Sequence, residues 1–247
     1  MKDKKIVFMG GKHVGYKCLE FLIQNGYQTI GCYINSDDTA TNRWYDSLTE
    51  LCLRQGIPVF YFANVNSVES EKTIRQLAPD VITVVYYDQI LHENIIDLPK
   101  IGCTNLHLAL SQVHRGCYPT TWSLIRGDTH TGATFHFIVP KIDGGPVIAQ
   151  KKLKIKDYWT GKDLYANVSD VGIKLFKEFF PKLDRIKPHA IDISKSQYYR
   201  KEFPSREVKL NKSTYNYVRS LIFDPFPPPY IKIGNRIFTI NEMTLDY

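Results

Sequence analysis

Apolar and polar positions alternate in blocks along the first third of the chain. The run KIVFMG, beginning at Lys5, is apolar throughout after its first residue, and residues 14–24 behind it repeat apolar positions at helical spacing. TIGCYI from Thr29 is a second apolar run, followed by a helical pattern over residues 42–54. IPVFYF from Ile57, a helical stretch over residues 68–77 and DVITVVYY from Asp80 complete three strand–helix repeats. Strands that are apolar on both faces and separated by helices predict a mainly parallel sheet covered on each side. This is a doubly wound, Rossmann-like α/β arrangement, and ligands of such sheets sit outside the carboxyl ends of the strands.

The second half changes rhythm. TGATFHFIV from Thr131 and VIAQKKLKI from Val147 read as strands flanking the loop KIDGGP. A helix begins at TGKDLY, where Thr160 and Asp163 form a capping-box pattern, and Leu164, Val168, Val171, Leu175 and Phe179 give it a core-facing stripe. Residues 185–206 lose periodicity and read as a linker. A proline run and a hairpin signal at Gly234-Asn235 then predict a small β appendage. The chain divides on this reading into residues 1–185 and residues 186–247. The turn GGKHVG after the first strand lacks both the GxGxxG spacing and the Walker GK[ST] ending, so it reads as a tight strand-to-helix turn. Lys12 and His13 nonetheless lie at the ligand-facing edge.

Composition narrows the class. A chain of 247 residues, 43% hydrophobic and 13% aromatic, buries a sizeable core. Its charged start is not laid out as a secretory signal, and no stretch approaches the roughly 18 uninterrupted apolar residues of a membrane span. A cytoplasmic protein without membrane insertion is expected. Cys18, Cys32, Cys52, Cys103 and Cys117 are scattered, with no zinc-ligand spacing, and are expected to be reduced core residues with no metal bound. The net charge of +7 is spread along the chain and comes with no nucleic-acid motif, so a solvated surface or a site for an anionic small molecule is expected, not nucleic acid.

The chemistry concentrates in TNLHLALSQVHRGCYPTTW, which starts at Thr104. Asn105 and His107, two apart on a strand, share a face at its end. A carboxamide that donates to a developing oxyanion and an imidazole that moves a proton suit acyl transfer. No GxSxG elbow or cysteine partner supplies a nucleophile, so the attacking atom belongs to the substrate. A carboxylate to hold the imidazole comes from Asp143, before two glycines in KIDGGP, with Asp128 in RGDTHTG as the rival.

The stretch NLHLALSQVHRGCYPTTWSLIRGDTHTGATFHFIVPKIDGGPVIAQ resembles the folate-dependent formyltransferases, which include methionyl-tRNA formyltransferase, glycinamide ribonucleotide transformylase and the sugar N-formyltransferases. Asn-x-His at a strand end, a following Arg-Gly, a Thr-Gly strand and an Asp-x-Gly loop carry the resemblance, which extends over residues 4–150. It implies Asn105, His107 and Asp143 as the catalytic trio and N10-formyltetrahydrofolate as co-substrate. PDVITVVYYDQIL resembles the pterin-holding strand and loop, which implies folate contacts at Val84, Val85, Tyr86, Tyr87, Ile90 and Leu91, with Asp143 adjoining. The chain departs from the family's His-x-Ser-Leu-Leu-Pro: Ala109, Ser111 and Gln112 replace the Ser, second Leu and Pro, and hydrogen bonding by Gln112 is expected to offset the lost proline.

GCYPTTWSLIRGD and STYNYVRSLIFDPFPPPYIKIGNRIFTI are similar to the sugar N-formyltransferases, and the residues after the linker are too few for the β-barrel of the tRNA enzyme. The implied acceptor is a nucleotide-linked amino sugar, dTDP-4-amino-4,6-dideoxyglucose or its 3-amino isomer, used in O-antigen or other surface polysaccharide synthesis. Lys12, His13, Arg115, Gly116, Tyr118, Pro119, Trp122, Tyr215 and Arg219 are expected substrate contacts. Tyr217 and Phe226 are further stacking candidates, with Lys209 or Arg219 facing the diphosphate; the alternative is that these side chains only pack the appendage. A homodimer through the C-terminal hairpin is expected. The alternatives are a methionyl-tRNA formyltransferase-like enzyme, a non-catalytic folate-binding module and a formyltetrahydrofolate hydrolase.

Overall fold

The computed structural model describes residues 1–39, 44–209, 211 and 214–243. Its centre is β1 (Lys5–Gly10), buried at every residue after Lys5. Period-two alternation sends Ile6 and Phe8 to one face of the sheet and Val7 and Met9 to the other, each into its own apolar cluster. After β1 come α1 (Lys12–Gln24), β2 (Gln28–Ile34), α2 (Leu48–Arg54), β3 (Val59–Phe60), α3 (Val68–Leu77) and β4 (Val81–Val85). Ser47 and Ser67 cap α2 and α3 by accepting the Glu50 and Ser70 amides at 3.1 and 3.2 Å. The expected start of the second helix, around Asn42, lies outside the described residues.

The expected third strand contracts to two residues. β3 pairs with β2 only at Cys32↔Val59 and Tyr33↔Phe60. Pro58 has no N–H for a ladder, and beyond the pairing Phe62 stacks on Tyr33 at 5.6 Å instead of extending the sheet.

A short α4 (Glu93–Ile96) leads to β5 (Gly102–His107), then β6 (His114–Gly116), α5 (Pro119–Ile125), β7 (His130–Phe137), β8 (Val147–Lys154) and α6 (Gly161–Phe179). The main sheet runs β3-β2-β1-β4-β5-β7-β8, parallel as far as β5 and antiparallel beyond it. Strand order reverses at β1 and β4, so a crevice opens outside their carboxyl ends. α1 and α6 cover one face, where Leu19, Leu22, Val168 and Phe176 are fully buried against Phe8 and Phe135. The other face packs Tyr33, Ile74, Ile82 and Ile95. The Thr160–Asp163 capping box forms at the start of α6 with both reciprocal bonds. Cys18, Cys32, Cys52 and Cys103 are buried and Cys117 is half-buried, all as free thiols.

The segment expected as a linker is tied to the sheet. His189 exchanges two backbone bonds with Val147, at 2.7 and 3.0 Å. β9 (Gln197–Tyr199) then adds in parallel to β6. α7 (Thr214–Leu221) packs on α5, and β10 (Tyr230–Ile233) and β11 (Arg236–Thr239) form the expected hairpin, with Gly234 at φ 58° in its turn. Three-residue strands such as β6 and β9 gain their pairing from each other, so neither sequence shows it alone. Among the described residues no helix is long and apolar enough to cross a membrane.

Candidate active site

Parallel pairing aligns β4 with β5 so that Val84 faces Asn105 and Val85 faces Leu106. The antiparallel strand β7 then places His136 directly opposite Asn105. The loop after β7 returns to the same edge and delivers Asp143. Its approach depends on Gly145, where a Cβ would meet the Phe137 carbonyl oxygen at 1.8 Å. Asp143 itself takes φ 47°, the left-handed region that non-glycine residues rarely occupy.

The three expected catalytic side chains converge. Asn105 Nδ2 donates to Asp143 Oδ1 at 3.0 Å, and His107 Nδ1 lies 3.6 Å from Asp143 Oδ2. A fourth group, His136, joins them: its Nε2 is 3.3 Å from Asn105 Nδ2 and 3.4 Å from Asp143 Oδ1. The sequence reading missed His136. The signal was its alternation in FHF, which becomes informative only once that strand is known to run antiparallel beside Asn105.

The carbonyl partners assign the tautomers. His136 Nδ1 lies 2.8 Å from the Phe137 carbonyl oxygen, so the proton sits there and Nε2 accepts from Asn105. His107 Nε2 lies 3.1 Å from the His114 carbonyl oxygen and donates to it, which leaves Nδ1 facing Asp143. The carboxylate also orients Asn105, because a flipped amide would set oxygen against oxygen.

Burial pulls His107 below the ordinary imidazole value; Asp143 opposes this, and His136 and His114 add to it. Burial tends to raise Asp143, but the neighbouring His107 and His136 imidazoles, which favour the carboxylate most once protonated, and the Gly116 amide at 2.8 Å outweigh it and hold the carboxyl well below its usual range. The resting pair is therefore a carboxylate beside a neutral imidazole. Burial pushes the nearby Cys117 thiol up, which makes it a poor nucleophile. Asp128 is engaged elsewhere, paired with the ring of buried His114.

The other expected contacts divide. Val84 and Val85 have their side chains in the core, on opposite faces of the sheet, and Leu91 is buried as well. The backbone of this strand is paired with β1 on one side and β5 on the other, and the Val85 carbonyl accepts the Gly11 amide at 3.1 Å. Tyr86, at φ 59°, packs its ring 6.0 Å from Tyr165. Tyr87 is half-buried, whereas Ile90 presents its side chain with 56% exposure. Asn35, Asn66 and Gln89 pin this loop through its backbone and that of the neighbouring chain.

Among the expected acceptor contacts, Lys12 pairs with Asp37 and lies 4.8 Å over the Tyr45 ring. His13 lines a cavity of about 220 Å³ with Trp44, Lys162, Tyr165, Ser169 and Phe223. Arg115 is tied within the chain to Ser196 and the Ile142 carbonyl, and Gly116 serves Asp143 through its amide. Tyr118 and Pro119 form the start of α5, with the Tyr118 ring edge-on to Phe203. Trp122 stacks on Tyr199, with ring centroids 4.5 Å apart.

Two expected ligand contacts are corrected. Arg219 is only 6% exposed, and its guanidinium donates to the carbonyls of Lys156, Asp157 and Trp159. The Tyr215 hydroxyl donates to the same Asp157 carbonyl at 2.7 Å. Both side chains lock α7 to the loop before α6, so Arg219 does not face a diphosphate; the Tyr215 ring, expected to stack on a base, lies 5.2 Å from the Arg219 guanidinium. Tyr217 likewise donates to the Ser205 carbonyl.

The altered loop after His107 is well held. Gln112 and Gln150 exchange amide bonds at 2.9 and 2.8 Å. Gln150 also donates to Thr134 Oγ1, which in turn donates to the Ala109 carbonyl and accepts from the Ser111 amide. Hydrogen bonding thus replaces the rigidity of a proline. A larger cavity, about 370 Å³, lies beside this amide pair, but Asn105, His107 and Asp143 do not line it.

An α/β sheet that brings carboxamide, imidazole and carboxylate together at its ligand edge is the frame of a group-transfer enzyme. The chain belongs to the formyl transferase family, whose model matches residues 4–179. It is 33% identical over 230 residues to the bifunctional polymyxin resistance protein ArnA of Wigglesworthia glossinidia brevipalpis, covering 90% of this chain and 35% of that protein. The chain thus spans about a third of the length of that curated relative. The fold is that of an N-formyltransferase from Helicobacter canadensis solved with folinic acid and dTDP-3-aminofucose (TM-score 0.77, 20% identity, covering 94% of this chain and 84% of that one). It is also that of a 4-N formyltransferase from Francisella tularensis (TM-score 0.80, 16% identity, covering 99% and 100%).

Proposed function

We propose that this enzyme transfers the formyl group of N10-formyltetrahydrofolate to the amine of a nucleotide-linked amino sugar, with dTDP-4-amino-4,6-dideoxyglucose as the expected acceptor and its 3-amino isomer as the alternative. The observation that carries the reading is the convergence of Asn105, His107, His136 and Asp143 at the carboxyl edge of β5. The loop of residues 86–91, held by Asn35 at the Tyr86 carbonyl and the Asp88 amide and with Ile90 exposed, fits a flat heterocycle laid along it. Folate, when bound, supplies the formyl carbon. The neighbouring cavity supports the acceptor assignment. Trp44 and Phe223 line it with His13 and Lys162, and a diphosphate there would compete with Asp224 for the Lys162 ammonium, which lies 3.5 Å from that carboxylate. The ligands named for the Helicobacter protein, and the 4-N specificity named for the Francisella one, agree with this class.

The residues act as follows. Asn105 turns one amide hydrogen from His136, its longer contact, to the formyl oxygen and stabilises the charge that develops there. As the amine nitrogen bonds to the formyl carbon, neutral His107 receives the proton the amine loses and Asp143 stabilises the imidazolium so formed; that proton then goes to N10 as the formyl C–N10 bond breaks and tetrahydrofolate leaves. Burial favours the neutral base before reaction, and the carboxylate lowers the cost of charging it afterwards.

The test is incubation with 10-formyltetrahydrofolate and a panel of dTDP- and UDP-linked 3- and 4-amino sugars, read by mass spectrometry. Formylation of an amino sugar is the expected result. Formylation of methionyl-tRNA alone, or release of formate with no amine consumed, overturns the reading. Homodimerisation through the hairpin, a cytoplasmic location and a place in surface polysaccharide synthesis belong to the same proposal. A catalytic unit at residues 1–185, followed by residues 186–247, is also part of it, amended by the contacts of the second segment with the sheet.

A further inference from the structure

Asp143 is held at a backbone angle that costs energy, and glycines alone do not hold a strained loop in one place. Two structures grip it from opposite sides. On the inner side Gly145 lies against the Phe137 carbonyl. On the outer side Arg115 Nη1 donates to the carbonyl of Ile142, the residue before Asp143, at 3.1 Å, and the adjacent Gly116 amide donates to the Asp143 carboxylate at 2.8 Å.

Arg115 is itself held from the C-terminal half of the chain. Its Nε donates to Ser196 Oγ at 2.6 Å. The Ser196 hydroxyl proton goes to the Ile193 carbonyl at 2.8 Å, so its lone pairs face the guanidinium. Ile193 is buried, and its Cδ1 would stand 2.7 Å from a Cβ on Gly144, so it closes the loop on the side after Asp143. Pairing of β6 with β9 fixes both partners: Gln197 N–H donates to the Val113 carbonyl and Cys117 N–H to the Tyr199 carbonyl. At Gly116, with φ 84°, a Cβ would meet the Tyr199 carbonyl oxygen at 2.2 Å. Close approach of the two strands therefore depends on that glycine.

We infer that Ser196 and Arg115 are positioning residues for the transfer reaction: the segment of residues 193–199 sets Arg115, Arg115 sets the Ile142 carbonyl, and this fixes the Asp143 carboxylate against His107 and Asn105. The inference rests on the proposed role of Asp143. Arg115, expected from sequence to touch the acceptor, acts through the carboxylate instead. Rotation of the Ile142–Asp143 peptide withdraws the carboxylate from an imidazole whose other charged or titratable neighbours are His136 and His114. Misplacement on the scale of 1 Å costs a rate factor of about a hundred.

The test uses Ser196→Ala, Ser196→Thr, Arg115→Lys and the double variant Ser196→Ala/Arg115→Lys in the full chain. Readouts are turnover with 10-formyltetrahydrofolate and dTDP-4-amino-4,6-dideoxyglucose, thermal melting, and the His107 ring resonance titrated by NMR without substrate. Ser196→Ala is expected to lower kcat about tenfold or more while KM for either substrate moves less than about threefold, and to move the His107 midpoint to lower pH. Ser196→Thr keeps the hydroxyl and restores both. The double variant loses no more than the worse single, as expected of residues acting in series. Arg115→Lys that fails to fold leaves Ser196→Ala to decide. Unchanged kcat and an unmoved His107 midpoint in Ser196→Ala overturn the inference, as does a lowered melting temperature with neither of those changes. Asp143→Asn and the native chain separate the claims. A native chain without turnover overturns the proposed function. Asp143→Asn that retains turnover overturns the role of Asp143 and the relay with it. Asp143→Asn that abolishes turnover while Ser196→Ala changes nothing overturns the relay alone.

Discussion

At the scale of single residues, the site depends on one carboxylate that faces Asn105, His107, His136 and the Gly116 amide. Asp143→Asn is expected to reduce turnover by at least a hundredfold, because the imidazolium formed at His107 then has no counter-charge. The same change removes the influence that raises His107, so the ring midpoint, already below 6.5, moves further down; NMR titration of that ring checks the direction. For the native chain the sign is the same at both groups. His107 has a folded value below its unfolded one, so its contribution to stability is present above pH about 6.5 and is lost as pH falls through the folded value. Asp143 adds stability above pH about 3.9 that is lost below it. Denaturant midpoints measured between pH 7 and pH 3 should therefore fall. His136→Leu leaves an Asn105 hydrogen without its acceptor and is expected to cost roughly 1–3 kcal/mol, with a smaller loss of rate than Asp143→Asn. Strand spacing singled out Asn105 and His107 and the Gly-Gly loop made Asp143 a candidate beside Asp128, but the choice of this trio came from the resemblance to the formyltransferases. His136 was not legible, since its role follows from register between distant strands. The role of Arg219 was misread because an exposed and a buried arginine look alike until the carbonyls that cap it are placed.

Among elements, the strand–helix repeats and the α6 cap were readable because periodicity and capping are short-range. Thr160→Ala removes the hydroxyl that accepts the Asp163 amide, and a loss of about 1 kcal/mol in chemical denaturation is expected. The β6–β9 pairing was invisible. Three residues carry too little pattern, and the segment reads as linker until its amides find partners on β6. Gly116→Ala probes this pairing directly. The methyl group has to displace the Tyr199 carbonyl and occupy a left-handed angle, at a cost of roughly 1–3 kcal/mol. Its far-UV spectrum should remain α/β while the melting temperature falls. The loop after His107 makes the complementary point. A family pattern predicts a proline, yet the Gln112–Gln150 pair and Thr134 hold the same stretch by hydrogen bonds. An amide pair is reversible where a proline ring is not, so residues 109–112 should exchange amide hydrogens faster in Gln112→Ala than in the native chain.

For the whole molecule, the question is what covers the C-terminal hairpin. β10 and β11 form a two-stranded sheet, and a hairpin of this size is marginal by itself in water. Backbone bonds from Val208 and Tyr230 tie its base to the chain. Its outer part is unprotected: Ile233 is 64%, Ile237 62% and Phe238 49% exposed. The register places Ile231 opposite Phe238 and Lys232 opposite Ile237, so exposed apolar groups stand on both faces of the ribbon. Residues on both faces stay exposed in the single chain, and a ribbon laid across the equivalent ribbon of a second copy shelters one face of each. Two-fold symmetry makes such a surface self-complementary. Light scattering after size exclusion should therefore give twice the chain mass, and Ile237→Lys with Phe238→Lys should give the single-chain mass. The site at β5 lies in a different part of the chain, so the doubly substituted protein should keep its fold by circular dichroism and its His107 titration. A native chain that stays monomeric at concentrations of tens of micromolar removes the second copy as the cover and leaves the hairpin to another partner.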